Sequence, residues 1–259
     1  MTAAASGLAV RRENGTVTVT FDRPECKNGL RTQEWVELKK ILDAVDRSND
    51  DRVVVLTGAG GHFSSGADLG ESADDLFPLA PMRIVNAACL AIRRLNKPVI
   101  AAVSGYAVGA GFNLALSCDL VVADTTAQFS QIFVKRGMSP DLGGSWYLPQ
   151  ALSLQQAKEI AFFGDMLTAQ QARELGLVNH VVAPADLDWF CAAWVSRLKV
   201  LPPIALARTK QLLNSALEGS FDAALDREAV FQEHNFTTAD THEAISAFLS
   251  KRTPRYLGR

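Results

Sequence analysis

Val17, Val19 and Phe21 alternate with Thr18 and Thr20 behind an Asn14-Gly15 turn; this period of two predicts a half-buried strand, closed by Asp22-Arg23-Pro24. From residue 32 to about 47 the period lengthens. Trp35, Leu38, Ile41, Leu42 and Val45 share one helical face, with Thr32 as the expected N-cap and no capping box, since Trp35 stands three residues on. Two runs, Val53-Val54-Val55-Leu56 and Val99-Ile100-Ala101-Ala102-Val103, are apolar without alternation, as strands covered on both faces are. Between them a helix is expected from about 81 to 95, stopped before Lys97-Pro98. After them come a helix of small residues to about Cys118 and a strand over 120–123.

Beyond Pro149 the pattern is mostly helical. Thr168-Ala169-Gln170-Gln171 reads as a capping box opening a short helix that Gly176 ends, and 178–182 reads as a last strand. After Pro202-Pro203 helices are expected over about 204–217, 221–236 and 240–250, the last with Asp240 as its cap. The recurring strand, turn and helix make the fold class α/β with parallel strands. We divide the chain into an α/β core, 1–200, and a helical region, 201–259, whose apolar faces are expected to pack on a neighbouring subunit.

Two glycine-bearing segments follow the apolar runs: Phe63-Ser64-Ser65-Gly66-Ala67-Asp68-Leu69, and Gly105-Tyr106-Ala107-Val108-Gly109-Ala110-Gly111-Phe112-Asn113-Leu114. A small-residue turn before a helix presents unpaired N–H donors and a partial positive charge. If the two turns face one another, they can hold a single oxygen between two N–H groups, as an oxyanion hole does.

Composition narrows the function classes. The 259 residues are 48% hydrophobic and 21% charged, with a formal charge of −2, which offers no field for nucleic acid or an anionic membrane surface. Cys26, Cys89, Cys118 and Cys191 are scattered, and His62, His180, His234 and His242 lack metal-ligand spacing, so no metal site is expected. The opening MTAAASGLAVRRENG has no secretory apolar region and no run is long enough to span a bilayer, which gives a cytoplasmic expectation.

Competing chemistries fail on spacing. A dinucleotide site needs G-x-G-x-x-G after a strand, but Phe63 and Leu114 stand where the third glycine would be. GK[ST] and G-x-S-x-G are both absent, and His62 is too near Ser64 and Ser65 in sequence to serve as their base. The segment Lys135 to Ser145 holds Asp141 after Pro140. Two readings of it stand at this point: a turn or capping residue, or a carboxylate among apolar neighbours, its pKa raised by burial and suited to proton transfer.

The segments quoted, together with Arg23-Pro24-Glu25-Cys26-Lys27-Asn28-Gly29-Leu30, Ala127-Gln128-Phe129, Pro140 to Gly144, Leu175-Gly176-Leu177-Val178 and Ala247 to Pro254, resemble in order those of the crotonase (enoyl-CoA hydratase/isomerase) superfamily, over essentially the whole chain. The resemblance implies a spiral of ββα units with a C-terminal helical trimerisation region, a homotrimer or homohexamer, and an acyl-CoA thioester as substrate with no further cofactor. It implies that the thioester oxygen is held by the N–H groups of Ala67 and Ala110, the latter standing where many members have glycine. Ser65, Gly66, Asp68, Leu69 and Gly109 match CoA-site positions. Lys27 reads equally as a partner for a CoA phosphate and as a solvated turn lysine.

The same resemblance exposes a departure. The hydratases carry two glutamates, and at the matching positions this chain has Asn113 and Phe133, neither able to take a proton. Asp141 remains, at a loop position where some isomerases, including ring-opening epoxyphenylacetyl-CoA isomerases, and the aroyl-CoA dehalogenase branch carry an aspartate. The reading is an isomerase with Asp141 as sole acid/base. Its rivals are a hydratase using Asp141, a non-catalytic acyl-CoA binder and, last, a serine peptidase on the related fold. Glu71 to Met82, with Leu76, Phe77, Pro78 and Leu79, are expected to line or cover the acyl tunnel.

Overall fold

The computed structural model describes residues 7–70 and 79–259. Strand β1 (Leu8–Glu13) turns at Asn14-Gly15 into β2 (Thr16–Phe21), and this pair is antiparallel. Helix α1 (Thr32–Arg47) leads to β3 (Val53–Gly58), and α2 (Leu79–Arg94) leads to β4 (Val99–Val103). Next come β5 (Tyr106–Val108), α3 (Ala110–Ser117), β6 (Leu120–Asp124), β7 (Gln128–Ser130), α4 (Gly144–Ala151), α5 (Leu154–Phe163), β8 (Leu167–Thr168), α6 (Ala169–Glu174) and β9 (His180–Val182). Helices α7 (Leu187–Lys199), α8 (Pro203–Asn214), α9 (Phe221–Phe236) and α10 (Ala239–Leu249) end the chain.

The main sheet runs β1-β2-β3-β4-β6-β9, parallel from β2 onward, with Val17 opposite Val54, Val54 opposite Val99 and Ala101 opposite Val121. A smaller sheet, β5-β7-β8, stands beside it. The alternation in β2 is realised: Val17, Val19 and Phe21 are buried while the threonines between them are half-buried. The unalternating strands are covered twice. Val54 and Leu56 join the principal core with Trp35, Leu38 and Ile92, whereas Val53, Val55 and Ile100 pack under Leu187, Cys191 and Val195 of α7. Burying apolar side chains on both faces is what continuous β-branched runs are suited to.

Two helix starts differ from the sequence pattern. Thr32 is the first helical residue rather than the cap. The Arg31 N–H donates to Glu34 Oε2 at 2.8 Å and the Arg31 guanidinium binds the same buried carboxylate. Asp240 does not cap α10 either. Thr238 does, accepting from the Thr241 N–H at 3.2 Å, which leaves the buried Asp240 carboxylate to accept from the N–H groups of Leu257 and Gly258 and pin the C-terminal segment. At α6 the capping box of Thr168 and Gln171 is present as predicted.

Strands β1, β5, β7 and β8 and helices α4, α5 and α7 are absent from the pattern reading, in part because two- and three-residue strands are too short to show a period. Among the described residues no single helix is long and apolar enough to cross a membrane. Residues 71–78, among them the expected tunnel residues Leu76, Phe77 and Pro78, lie outside the described residues; Leu79 opens α2.

Candidate active site

The two glycine turns meet where β3 and β4 end. Ser64 pairs with Ala107 of β5, its N–H donating to the Tyr106 carbonyl and its own carbonyl accepting from Val108. Ala67 pairs in parallel with Leu30, but that bridge uses the Gly66 carbonyl and the Asp68 N–H, so the N–H of Ala67 itself faces the opposite way. Neither it nor the N–H of Ala110, first residue of α3, finds an acceptor among the described residues. The approach is close enough to require two glycines. A Cβ on Gly66, at φ +93°, would lie 2.7 Å from the Val108 carbonyl oxygen and 3.0 Å from the Ala110 nitrogen, and one on Gly111 would lie 2.3 Å from the Ser64 oxygen.

Side chains behind the turns hold them in place. Buried Asn28 accepts from the Arg23 N–H and donates to the carbonyls of Ala59 and His62. Arg23 donates to the Gly29 carbonyl and to Asp68 Oδ2, both under 3 Å, which keeps the Asp68 carboxyl below the usual carboxylate range. Ser64 Oγ donates to the Asn28 carbonyl and accepts from the Gly66 N–H, and Ser65 Oγ donates to Cys26. His62 Nδ1 accepts from the Tyr106 N–H. Neither serine is bonded to a base, so the hydroxyls support a turn and the nucleophile reading loses its footing.

A cavity of about 420 Å3 opens in front of the turns. Lys27, Ser65, Ala67, Leu69, Gly109, Ala110 and Asp141 all line it. Two expected residues do not: Gly66 is buried behind the wall, and Asp68 is turned to Arg23. Tyr106, Val108, Ile132, Arg136, Met138 and Met166 complete the lining together with Phe133. Tyr106 and Val108 alternate towards the cavity on β5, a pattern visible in the glycine segment, whereas Met166 arrives from a distant part of the chain with no local signal. Lys27 places its ammonium 4.4 Å from the Tyr106 ring centroid.

Asp141 is the one carboxylate among the described lining residues, and Lys27 and Arg136 are the cations. Its Oδ1 is buried with no hydrogen-bond partner, and desolvation raises its pKa from 3.8 to about 6. The backbone beside it is strained. Leu142, buried, sits at φ +45°, in the left-handed region that a leucine rarely enters. The loop is clamped by its carbonyl: Asp141 O accepts from the Gly144 N–H at 2.9 Å and from Asn113 Nδ2 at 2.8 Å. Asn113 Oδ1 in turn accepts from Gln131 Nε2 at 2.6 Å, so both ends of that amide are engaged away from the cavity. No group of three or more His, Cys, Asp or Glu side chains able to hold a metal occurs among the described residues.

The whole chain has many relatives. It is 37% identical over 253 residues to the 1,2-epoxyphenylacetyl-CoA isomerase of Escherichia coli, covering 95% of this chain and 97% of that one. It is 36% identical over 255 residues to the 2,3-dehydroadipyl-CoA hydratase of the same organism, covering 98% and 100%. Among solved structures, an enoyl-CoA hydratase from Polaromonas superposes with a TM-score of 0.91 at 34% identity over 96% of this chain and 99% of that one. The enoyl-CoA hydratase/isomerase family profile matches residues 11–259. With a crotonase fold, matching relatives and the family profile over nearly its whole length, the chain belongs to the enoyl-CoA hydratase/isomerase family of acyl-CoA enzymes.

Proposed function

We propose that this enzyme isomerises an unsaturated or ring-strained acyl-CoA, with Asp141, the one carboxylate among the described lining residues, as its acid/base. The observation that carries the reading is the state of the carboxylate: desolvated, unpartnered at Oδ1 and facing the cavity that Ala67 and Ala110 also line. The thioester carbonyl oxygen accepts from the N–H groups of Ala67 and Ala110. Asp141 takes a proton from carbon; the C–H bond breaks, an O–H bond forms, and the electron pair moves onto the thioester oxygen as an enolate. The new carboxylic acid then returns the proton to a different carbon, restoring the carboxylate with no net change in composition. Hydration calls for a second group to activate and orient water. Where the resemblance puts the hydratases' glutamates, this chain has an asparagine with both amide ends engaged and a buried phenylalanine.

In this reading Lys27 holds a CoA phosphate, Ser65 and Leu69 meet the adenine, and Gly109 leaves room for the thioester. The exposed apolar side chains Leu213, Leu217, Phe221, Val230, Phe248 and Leu249 of the C-terminal region cover one another between copies, as a homotrimer or a pair of trimers. Sedimentation velocity tests the assembly. Incubation of enoyl-CoA thioesters in heavy water tests the chemistry: the wild type is expected to exchange carbon-bound protons and yield an isomer of unchanged composition. Asp141→Asn exchanging as fast as wild type sinks the assignment. A 3-hydroxyacyl product assigns hydration instead, and tight binding with no turnover across chain lengths assigns a silent binder.

A further inference from the structure

We infer that Gln131, which touches neither cavity nor substrate, is a positioning residue that aims the Asp141 carboxylate by fixing the polarity of the Asn113 amide. The inference rests on the reading of Asp141 as the acid/base. Gln131 lies between β7 and the cavity-lining Ile132 and Phe133 and is fully buried. The Asp141 carbonyl can only accept, so Asn113 must present its NH2 there. That leaves Asn113 Oδ1 on the far side, where only a donor satisfies it, and Gln131 Nε2 supplies one at 2.6 Å. Reversing either amide sets two carbonyl oxygens against each other, so the chain from Gln131 through Asn113 to Asp141 has a single consistent direction.

Two further observations point the same way. Gln131 Oε1 is buried with no partner, so the side chain keeps half its hydrogen-bonding capacity unmet in the core. An apolar residue of that size would avoid this penalty, and the bond to Asn113 is what the amide contributes instead. Residue 144 is also fitted to the Asn113 amide. A Cβ there would lie 2.4 Å from Nδ2 and 2.7 Å from Oδ1, so only glycine lets the amide lie across the start of α4 and reach Asp141. The carbonyl so held belongs to the residue that carries the carboxylate, and it precedes the left-handed Leu142. Loss of the amide's direction therefore swings the carboxylate, whereas the N–H groups of Ala67 and Ala110 are bonded to neither amide.

The test uses the full-length enzyme and two variants, Gln131→Met, which keeps volume and removes the donor, and Gln131→Leu, which removes both polar ends of the side chain. Both are expected to lower kcat between about ten- and a hundredfold, the range for small misplacement of a reacting group, with KM for the thioester changed less than about twofold. The acid limb of the kcat profile should shift in both. In an Asp141→Asn background the Gln131→Met effect should vanish, because a residue acting through the carboxylate is non-additive with its removal. Wild-type kcat in either folded variant, or a full Gln131→Met effect persisting without Asp141, overturns the inference. Wild-type exchange by Asp141→Asn alone overturns the underlying assignment instead. If Gln131→Met does not fold, Gln131→Leu and Gly144→Ala carry the same comparison.

Discussion

The two walls of the cavity are built on opposite principles. The wall carrying Ala67 and Ala110 is main chain packed on main chain, with Gly66 and Gly111 allowing contact and Asn28, Arg23 and Ser64 satisfying the polar groups behind it. Its Ala67 and Ala110 N–H groups find no acceptor among the described residues, and in the proposed reaction they meet developing charge without reorganisation. The wall carrying Asp141 is a loop with a left-handed leucine, an orphaned carboxylate oxygen and a clamp made of one carbonyl. In the proposed reaction it carries the group that changes its charge. A rigid wall suits a charge that appears on the substrate, and a poorly solvated one suits a group that gains and loses a proton.

Each prediction separates the walls. Asp141→Asn should slow proton exchange by about 10²–10⁴-fold, the usual contribution of a positioned acid/base, while leaving thioester affinity near wild type in a calorimetric titration. A parallel loss of binding would show that the loop serves the oxyanion wall as well. Gly66→Ala should lower kcat on the order of 10²–10³-fold, like the removal of one oxyanion donor, and lower the melting temperature, since its Cβ meets the Val108 oxygen at 2.7 Å at a strained φ. An active, stable Gly66→Ala enzyme would mean the turns are not locked as described.

The carboxylate wall should also show itself in stability. The folded pKa of Asp141 is raised from 3.8 to about 6, so the folded state binds the proton more tightly than the unfolded one. Wild-type stability therefore falls as pH rises from about 4 to about 6, and Asp141→Asn escapes that fall. The variant should be more stable by about 1–3 kcal/mol above pH 7, with the gain gone below pH 4, as denaturant melts across pH would report. The same titration should give wild-type kcat an acid limb near pH 6, with the rate falling as pH falls, because the first step needs the ionised form. The smallest effect belongs to the rim. Lys27→Ala removes a solvated cation held over Tyr106 and should raise KM severalfold with kcat unchanged, less so at high salt.

The sequence carried the fold because the patterns that specify it are local. The alternation of β2, the unbroken apolar runs of β3 and β4 and the single face of α1 each occupy a few successive residues, and the structure keeps all of them. The glycine segments were legible for the same reason, and seven of the nine residues named from them and from resemblance line one cavity. The side chain of Asp68 is engaged elsewhere because Arg23, far off in sequence, reaches it first. The shortest strands were missed because two or three residues show no period. The Arg31 cap was missed because an arginine has little local preference for that place, although its partner Glu34 lies in the same turn. The Thr238 cap was missed because the Asp240 carboxylate is drawn off to Leu257 and Gly258.

What the chain determined unaided was which residue types were available: two small-residue turns after apolar runs, a carboxylate at residue 141, and no glutamate at 113 or 133. Only the tertiary structure decided their condition. Asn113 and Asp141 stand 28 residues apart, and neither the amide's engagement nor the missing partner of the carboxylate oxygen is encoded in either neighbourhood. Desolvation is a property of everything packed around an atom, and hydrogen-bond polarity is a property of a closed chain of partners. Both come into being only when distant segments meet.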